Sequence, residues 1–241
     1  MIFYCPNNRT LQIGERLLLP EDEAQHAVKV LRLQSGDAVE LSDGNGNFYY
    51  AVITNPHHKR CEIEITNCQS QYEKRSFYLH IAIAPTKNIE RFEWFVEKAT
   101  EIGIDEITPV KCRFSERKVL KEERLEKIMI SAMKQSKKAY LPKLNFLQDF
   151  EKLVKQDFFG KKFIAHCYVG VENIQSLPLQ NLYKKGESAL VLIGPEGDFS
   201  REEVEFAIKN GFQALSLGNS RLRTETAGVV ACHSINFMNE K

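Results

Sequence analysis

From Phe77 onward the sequence alternates short apolar runs with amphipathic stretches, and few folds accept that rhythm. FYLHIAIA (77–84), EITPVK (106–111), FIAHCYV (163–169), ALVLIG (189–194) and ALSLG (214–218) have the length and apolar density of buried strands. Between them, ERFEWFVEKATEIG (90–103) puts Phe92, Phe95, Val96, Ala99 and Ile102 on one helical stripe and stops at Gly103. EERLEKIMISAMKQS (122–136) directs Leu125, Ile128, Met129, Ala132 and Met133 inward. SREEVEFAIKNG (200–211) opens on a Ser200–Glu203 capping box and closes on Gly211, and TETAGVVACHSINFM (224–238) reads as a last helix. Strands alternating with helices predict an α/β domain, a parallel sheet covered on both faces.

The first 70 residues keep another rhythm. Alternating stretches at 37–42, 48–54 and 61–67 read as strands, the first two joined by the turn-rich DGNGN (43–47). EDEAQHAVKVLR (21–32) has helical spacing through Ala24, Ala27, Val28 and Leu31. A small β-barrel over 1–70 is expected, with the polar QSQYEKRS (69–76) supplying a linker at 71–76 and the α/β domain filling 77–241. The 43% hydrophobic fraction is enough to fill both cores.

Six cysteines (Cys5, Cys61, Cys68, Cys112, Cys167, Cys232) without a CxxC pair fit reduced thiols and a cytoplasmic protein. MIFYCPNNRT lacks the basic and long apolar regions of a signal peptide, and no apolar run reaches the roughly 18 residues of a membrane span. The histidines form no HExxH, and adjacent His166 and Cys167 would point to opposite faces of a strand, so no metal is expected.

The formal net charge is +1, yet residues 1–70 hold 6 basic and 9 acidic side chains, while 111–143 hold 11 basic and 4 acidic, a net of +7. An excess of that size can neutralise several phosphates. A solvated helix face laced with Glu–Lys pairs explains the same counts, and charge alone does not separate the two.

Ligands of open α/β sheets sit at the carboxyl ends of strands. Two loops there stand out: Ile193–Ser200, where glycines flank Pro195 and Glu196, and Leu217–Gly228, which places Arg223 at the start of the last helix with Thr224 as its N-cap. Tight turns, capping and a surface ion pair are the plain alternatives. GxGxxG, GxxxxGK[ST] and GxSxG are all absent, which excludes dinucleotide, P-loop and nucleophile-elbow chemistry.

LIGPEGDFS (192–200) together with SLGNSRLRTETAGVVA (216–231) closely resembles the bacterial ribosomal RNA small subunit methyltransferase E family, of the SPOUT class. The resemblance continues through HAVKVLRLQSGD (26–37), IAPTKNIERFEWFVEKATEIGIDEITPV (83–110), FSERKV (114–119) and AMKQSKKAYLP (132–142), nearly the whole chain in order. It implies an N-terminal PUA-like barrel that helps hold RNA and a SPOUT domain with a deep trefoil knot. It further implies a homodimer with an RNA site built from both protomers, S-adenosylmethionine as cofactor, and methylation of N3 of one uridine in 16S ribosomal RNA. Leu192, Ile193, Gly194, Pro195, Glu196 and Gly197 match the first cofactor loop; Leu217, Gly218, Leu222, Arg223, Thr224, Glu225, Thr226 and Ala227 match the second. Asn219-Ser220 stands where the family often has Pro-Arg, and Lys134-Gln135 where it has Glu-Gln.

Uridine N3 is a poor nucleophile until its proton leaves, so such a site needs a proton acceptor or a cation facing the uridinate oxygens. Arg223 is assigned to stabilise the anion or orient the base, and Glu225 to orient Arg223 or take the proton, as the catalytic pair. Lys87, Arg91, Arg113, Arg117, Lys118, Lys134, Lys137 and Lys138, with Arg32 from the small domain, are assigned to phosphate. Trp94 and Phe95 read as core, and His26 as a solvent-facing or packed residue of the small domain. A SPOUT enzyme acting on another RNA or base atom stays open; so does a catalytically silent RNA-binding assembly factor, which the intact LRTET segment disfavours.

Overall fold

A computed structural model describes residues 2–168 and 175–240; Val169, the end of one expected strand, lies outside them. The chain divides into two compact units, Met1–Lys74 with Ile130–Leu141, and Arg75–Met129 with Pro142–Lys241.

The first unit is built on β1 (Ile2–Tyr4), β2 (Arg16–Leu18), α1 (Glu21–Gln25), β3 (Ala38–Ser42), β4 (Asn47–Asn55) and β5 (Glu62–Ser70). Its five strands run in the order β1-β3-β4-β5-β2, parallel only between β1 and β3; the small barrel expected from the alternating stretches is an open sheet, with β1 and β2 as its edges. One face packs Phe3, Leu41, Tyr49, Ala51, Ile53, Ile63 and Ile65 into a core. On the other, Ile2 and Phe48 meet Ala139, and Phe48 stacks on Tyr72 at 4.6 Å. Gly46 shows why the turn is glycine-rich: at φ 101° it donates its amide to the Ala139 carbonyl, and a Cβ would lie 2.4 Å from the Tyr140 ring. The helix expected over 21–32 is shorter. It ends at Gln25, and His26–Val30 widens into a π turn closed by the Leu31 amide on the His26 carbonyl.

The second unit runs β6 (Leu79–Ile83), α2 (Ile89–Ile102), β7 (Glu106–Lys111), α3 (Glu122–Gln135, whose last turns count with the first unit), β8 (Lys143–Leu144), β9 (Gln148–Asp149) and α4 (Phe150–Val154). It continues with β10 (Lys161–Ala165), β11 (Leu177–Pro178), α5 (Leu179–Leu182), β12 (Ala189–Ile193), α6 (Arg201–Lys209), β13 (Gln213–Ser216) and α7 (Thr224–Asn239). The sheet order is β11-β13-β10-β12-β6-β7-β8, every pair parallel, with β9 beside β7. Along β6 and β12, Ala82, Leu190 and Leu192 face a core shared with Phe150 and Leu153 of α4 and Val204 and Ala207 of α6. On the opposite face α2 and α7 pack together, and Gly228 of α7 seats against Ile83 and Phe95; a Cβ there would come within 2.6 Å of the Phe95 ring.

Two expectations need correction here. β10 ends at Ala165, so His166 and Cys167 leave the sheet instead of alternating across it. Thr224 is the first residue of α7 and Arg223 its N-cap; the Ala227 amide closes the first turn on the Arg223 carbonyl, and no side chain caps it. Among the described residues no helix is long and apolar enough to cross a membrane, and no cluster of His, Cys, Asp and Glu is placed to hold a metal ion.

Candidate functional site

Both loops singled out in the sequence leave adjacent regions of one sheet end. After β12, Gly194 packs tightly against Phe199, where a Cβ would lie 3.1 Å from its ring and amide. The Asp198 amide donates to the Pro195 carbonyl at 2.9 Å, and Asp198 itself sits at φ 66°, a left-handed conformation that asparagine and aspartate tolerate. Its carboxylate accepts the amides of Phe199 and Cys167, both at 2.8 Å, tying the loop to the end of β10. Ser200 and Glu203 form the expected capping box at the start of α6. After β13, Gly218 takes φ 117° with nothing within 4 Å of where a Cβ would point.

These ends enclose a cavity of about 720 Å³. Gly197, Leu217, Gly218, Leu222 and Ala227, all read from the sequence, line it. So do Asp198 and Asn219–Arg221, which lie in the two loops without having been named as cofactor residues, and His166, Cys167 and Tyr168 after β10 with Ser176, which fall outside both loops. The omission has a topological cause: β10 lies between β12 and β13 in the sheet, and nothing in chain order says so. Burial pushes the His166 imidazole below its usual pKa, against the smaller opposing pull of Asp198. The remaining cofactor candidates do not line this cavity. Leu192, Ile193, Gly194 and Pro195 are buried beneath the loop, Glu196 accepts the Lys87 amide at 2.9 Å, and Thr224 is buried at the head of α7.

Arg223 and Thr226 face a second cavity, of about 350 Å³, with Glu225. Its other wall is the start of α2: Asn88, Glu90, Arg91 and Trp94. Asn88 caps that helix, accepting the Glu90 amide at 3.1 Å. Glu225 is 6% exposed; its Oε1 lies 3.9 Å from the Arg91 Nε, and its Oε2 is buried without a hydrogen-bond partner among the described residues. Phe95 is core as expected, but Trp94 is 43% exposed and belongs to the cavity wall. The segment Leu222–Ala227 thus has two faces, Leu222 and Ala227 toward the larger cavity and Arg223, Glu225 and Thr226 toward the smaller.

The basic candidates scatter into different surroundings. Lys87, Arg117 and Lys118 line a third hollow of about 300 Å³, where Lys87 pairs with Glu116 at 2.9 Å and Arg117 donates to the carbonyls of Thr86 and Lys87. Arg113 is exposed and pairs with Glu202 at 3.1 Å. In the first unit, Arg32 is exposed at φ 57°, Lys137 pairs with Glu40 at 2.8 Å, and Lys138 is half-buried. Lys134 meets Glu23, which is 5% exposed and also accepts the Tyr4 amide. The lysine that departs from the family pattern therefore serves a buried carboxylate. Lys111, Arg124 and Lys143 have carboxylate partners too, so the +7 run is largely offset in three dimensions.

Residues 73–236 match the family model of the RNA methyltransferase domain, and 19–66 that of the RNA methyltransferase PUA domain. Mesomycoplasma hyopneumoniae ribosomal RNA small subunit methyltransferase E is 31% identical over 189 residues, 76% of this chain and 79% of that protein. A probable rRNA-methyltransferase from Porphyromonas gingivalis superimposes with a TM-score of 0.89 at 42% identity, covering 99% of this chain and 98% of its own. The Neisseria gonorrhoeae ribosomal RNA small subunit methyltransferase E, solved bound to S-adenosyl methionine, gives 0.84 at 26% identity over 99% of this chain and 97% of its own. With both family models in register along its two units and relatives matched over most of their length, the chain belongs to the PUA-bearing RNA methyltransferases of the ribosomal RNA small subunit methyltransferase E family.

Proposed function

We propose that the chain methylates N3 of one uridine in 16S ribosomal RNA of the small subunit, with S-adenosylmethionine as donor. The observation that carries this reading is the two-faced segment Leu222–Ala227, which gives donor and acceptor separate cavities with a common wall. The larger cavity suits the donor on its own chemistry. Its 720 Å³ falls within the roughly 300–1,000 Å³ of small-ligand pockets. Gly218 leaves its backbone open to close approach, the loop around it offers amides and carbonyls to an adenine, and Asp198 complements a cationic ligand. Gly197, Leu217, Gly218, Leu222 and Ala227 would hold the cofactor, with Leu192–Pro195 bracing the first loop beneath them. When bound, S-adenosylmethionine supplies an activated methyl group on a good leaving group.

The protein's part is positioning and deprotonation. Glu225 pairs with Arg91 through one oxygen, which leaves the other to accept the N3 proton. Arg223, beside it on the same wall of the cavity, faces the negative charge that deprotonation leaves on the uracil oxygens. In this reading residues 1–70 help hold RNA, 71–76 link, and 77–241 form the knotted catalytic domain. Two protomers then pair as a homodimer with a shared RNA site. The protein works in the cytoplasm, consistent with six free cysteines.

Nucleoside analysis of ribosomal RNA from a strain lacking the gene tests the reaction, together with calorimetry of S-adenosylmethionine on the purified protein. The expected result is loss of 3-methyluridine and one bound cofactor per chain. Loss of a different methylated nucleoside would move the target; unchanged RNA and no cofactor heat would leave an RNA-binding assembly factor.

A further inference from the structure

The two cavities share the wall Leu222–Ala227, and a second link joins them through other parts of the chain. Glu196 is exposed on the first loop and precedes Gly197, which lines the larger cavity. Lys87 precedes Asn88, which lines the smaller cavity and caps α2. One hydrogen bond runs between them: the Lys87 amide donates to the Glu196 carboxylate at 2.9 Å, across 109 positions of sequence. The same residue is held from another side as well. Arg117 donates through Nη2 to the Lys87 carbonyl at 2.6 Å and through Nε to the Thr86 carbonyl at 3.0 Å. Thr86 is fully buried, and its hydroxyl donates to the Asn88 carbonyl at 2.6 Å.

The segment that carries Arg117 is itself fixed beside the first loop. The Arg113 amide donates to Glu203 of the α6 capping box at 2.8 Å, and the Cys112 amide to the Ser115 hydroxyl at 2.9 Å. Phe114 packs so closely on Gly197 that a Cβ added to the glycine would lie 3.2 Å from the phenylalanine Cβ. Residues 112–117 thus touch the first loop at one end and the entry to α2 at the other. A guanidinium can meet two neighbouring carbonyls with a rigid planar fork, which the single ammonium of lysine lacks. Arg117 therefore spends its fork on backbone, where the sequence alone suggested a phosphate.

We infer that Arg117 and Glu196 are positioning residues, a brace that fixes the entry of α2, and with it Asn88 and Arg91, against the first loop. Neither touches donor or acceptor; each acts through the backbone of Lys87. The brace rests on the proposed methyl transfer for its purpose, since that reaction needs the contents of the two cavities in line. A misplacement of about 1 Å can cost on the order of 100-fold in rate, and a backbone gripped from two sides resists such a shift. The Lys87 ammonium, paired with Glu116 on the surface, is no part of the grip.

Variants of the full-length protein, assayed on small-subunit particles, test the brace. Arg117→Lys keeps the charge and loses the fork, so kcat should fall about tenfold or more while KM for RNA and the Kd for S-adenosylmethionine stay within about threefold. Glu196→Ala should do the same, and because Glu196 is exposed it carries the test even where Arg117→Lys does not fold. Glu196→Gln, whose amide oxygen still accepts from Lys87, should recover most of the loss. Both residues act on one stretch of backbone, so the double variant should lose well less than the product of the single losses. Hydrogen exchange over residues 84–91 should quicken in Glu196→Ala and Arg117→Lys and stay at the wild-type rate in Glu196→Gln. Wild-type kcat in Arg117→Lys with a raised RNA KM in Arg117→Ala would overturn the brace and make Arg117 a phosphate ligand. A weakened Kd for S-adenosylmethionine in Glu196→Gln would overturn it as well, making Glu196 a cofactor ligand. So would wild-type exchange in both Glu196→Ala and Arg117→Lys. If the wild-type protein methylates no uridine while the exchange pattern holds, the methyl-transfer reading falls and the brace stands.

Discussion

At the head of α7, three successive side chains meet three surroundings: Arg223 exposed over a cavity, Thr224 buried, Glu225 buried with one oxygen unserved. A cation facing charge that develops only during reaction should act on kcat more than on binding. Arg223→Ala should therefore lower kcat about 100-fold on small-subunit particles while calorimetry finds the Kd for S-adenosylmethionine unchanged. Wild-type kcat would remove Arg223 from the reaction. The sequence places Arg223 and Glu225 together where a loop opens a helix, and the structure sets both against the smaller cavity. Trp94 was read wrongly for a reason visible on a helical wheel. At 100° per residue it lies about 200° from Phe92, on the side away from the stripe that Phe92, Phe95, Val96 and Ala99 bury.

Among the elements, the helices were legible from their periods, since α2, α3, α6 and α7 each bury one stripe, and the long strands of the parallel sheet from their continuous apolar runs, β6 and β12 being buried along their whole length. The two-residue strands β8, β9 and β11 were not, because two residues carry no period. Sheet order was hidden as well, and with it the contribution of His166, Cys167 and Tyr168 to the larger cavity. Gly228 couples element packing to the site. Alanine there gains about 1 kcal/mol of helix propensity, but its methyl would press on Phe95 and Ile83 at 2.6–2.8 Å, and overpacking of that kind costs about 1–3 kcal/mol. Gly228→Ala should lower stability by about 1 kcal/mol in urea unfolding and reduce kcat/KM, because α7 can yield only by shifting the segment that carries Arg223 and Glu225. A variant as stable and as active as wild type would show that the core absorbs the methyl group.

Over the whole chain, the +7 run at 111–143 proved a poor map of free charge. Lys134 meets a buried carboxylate within the first unit, whereas the pair between Lys87 and Glu116 is exposed on both sides. Exposed pairs of that kind are worth at most about 1 kcal/mol and can be exchanged for phosphate. Changing Lys87 and Lys118 to Gln should therefore reduce the slope of log affinity for RNA against log salt by about 0.7 per lost contact. Lys134→Met should leave that slope alone and lower Tm instead, since it strands Glu23 in the core. The reverse pattern would make Lys134 the phosphate ligand. Sequence distinguishes a charge from its partner only when the two are close along the chain, and Glu23 and Lys134 are 111 residues apart.

The division of the chain also has a consequence in time. The first unit comprises Met1–Lys74 and Ile130–Leu141, and the surroundings of Gly46 and Phe48 are complete only once Ala139 and Tyr140 exist. A ribosome making about 5–20 residues per second needs roughly 3–13 s to travel from Lys74 to Leu141. For that interval the small sheet emerges with one apolar face bare, so an N-terminal fragment ending near Lys74 would be a sticky product, and a gene cut there would not yield two separable halves.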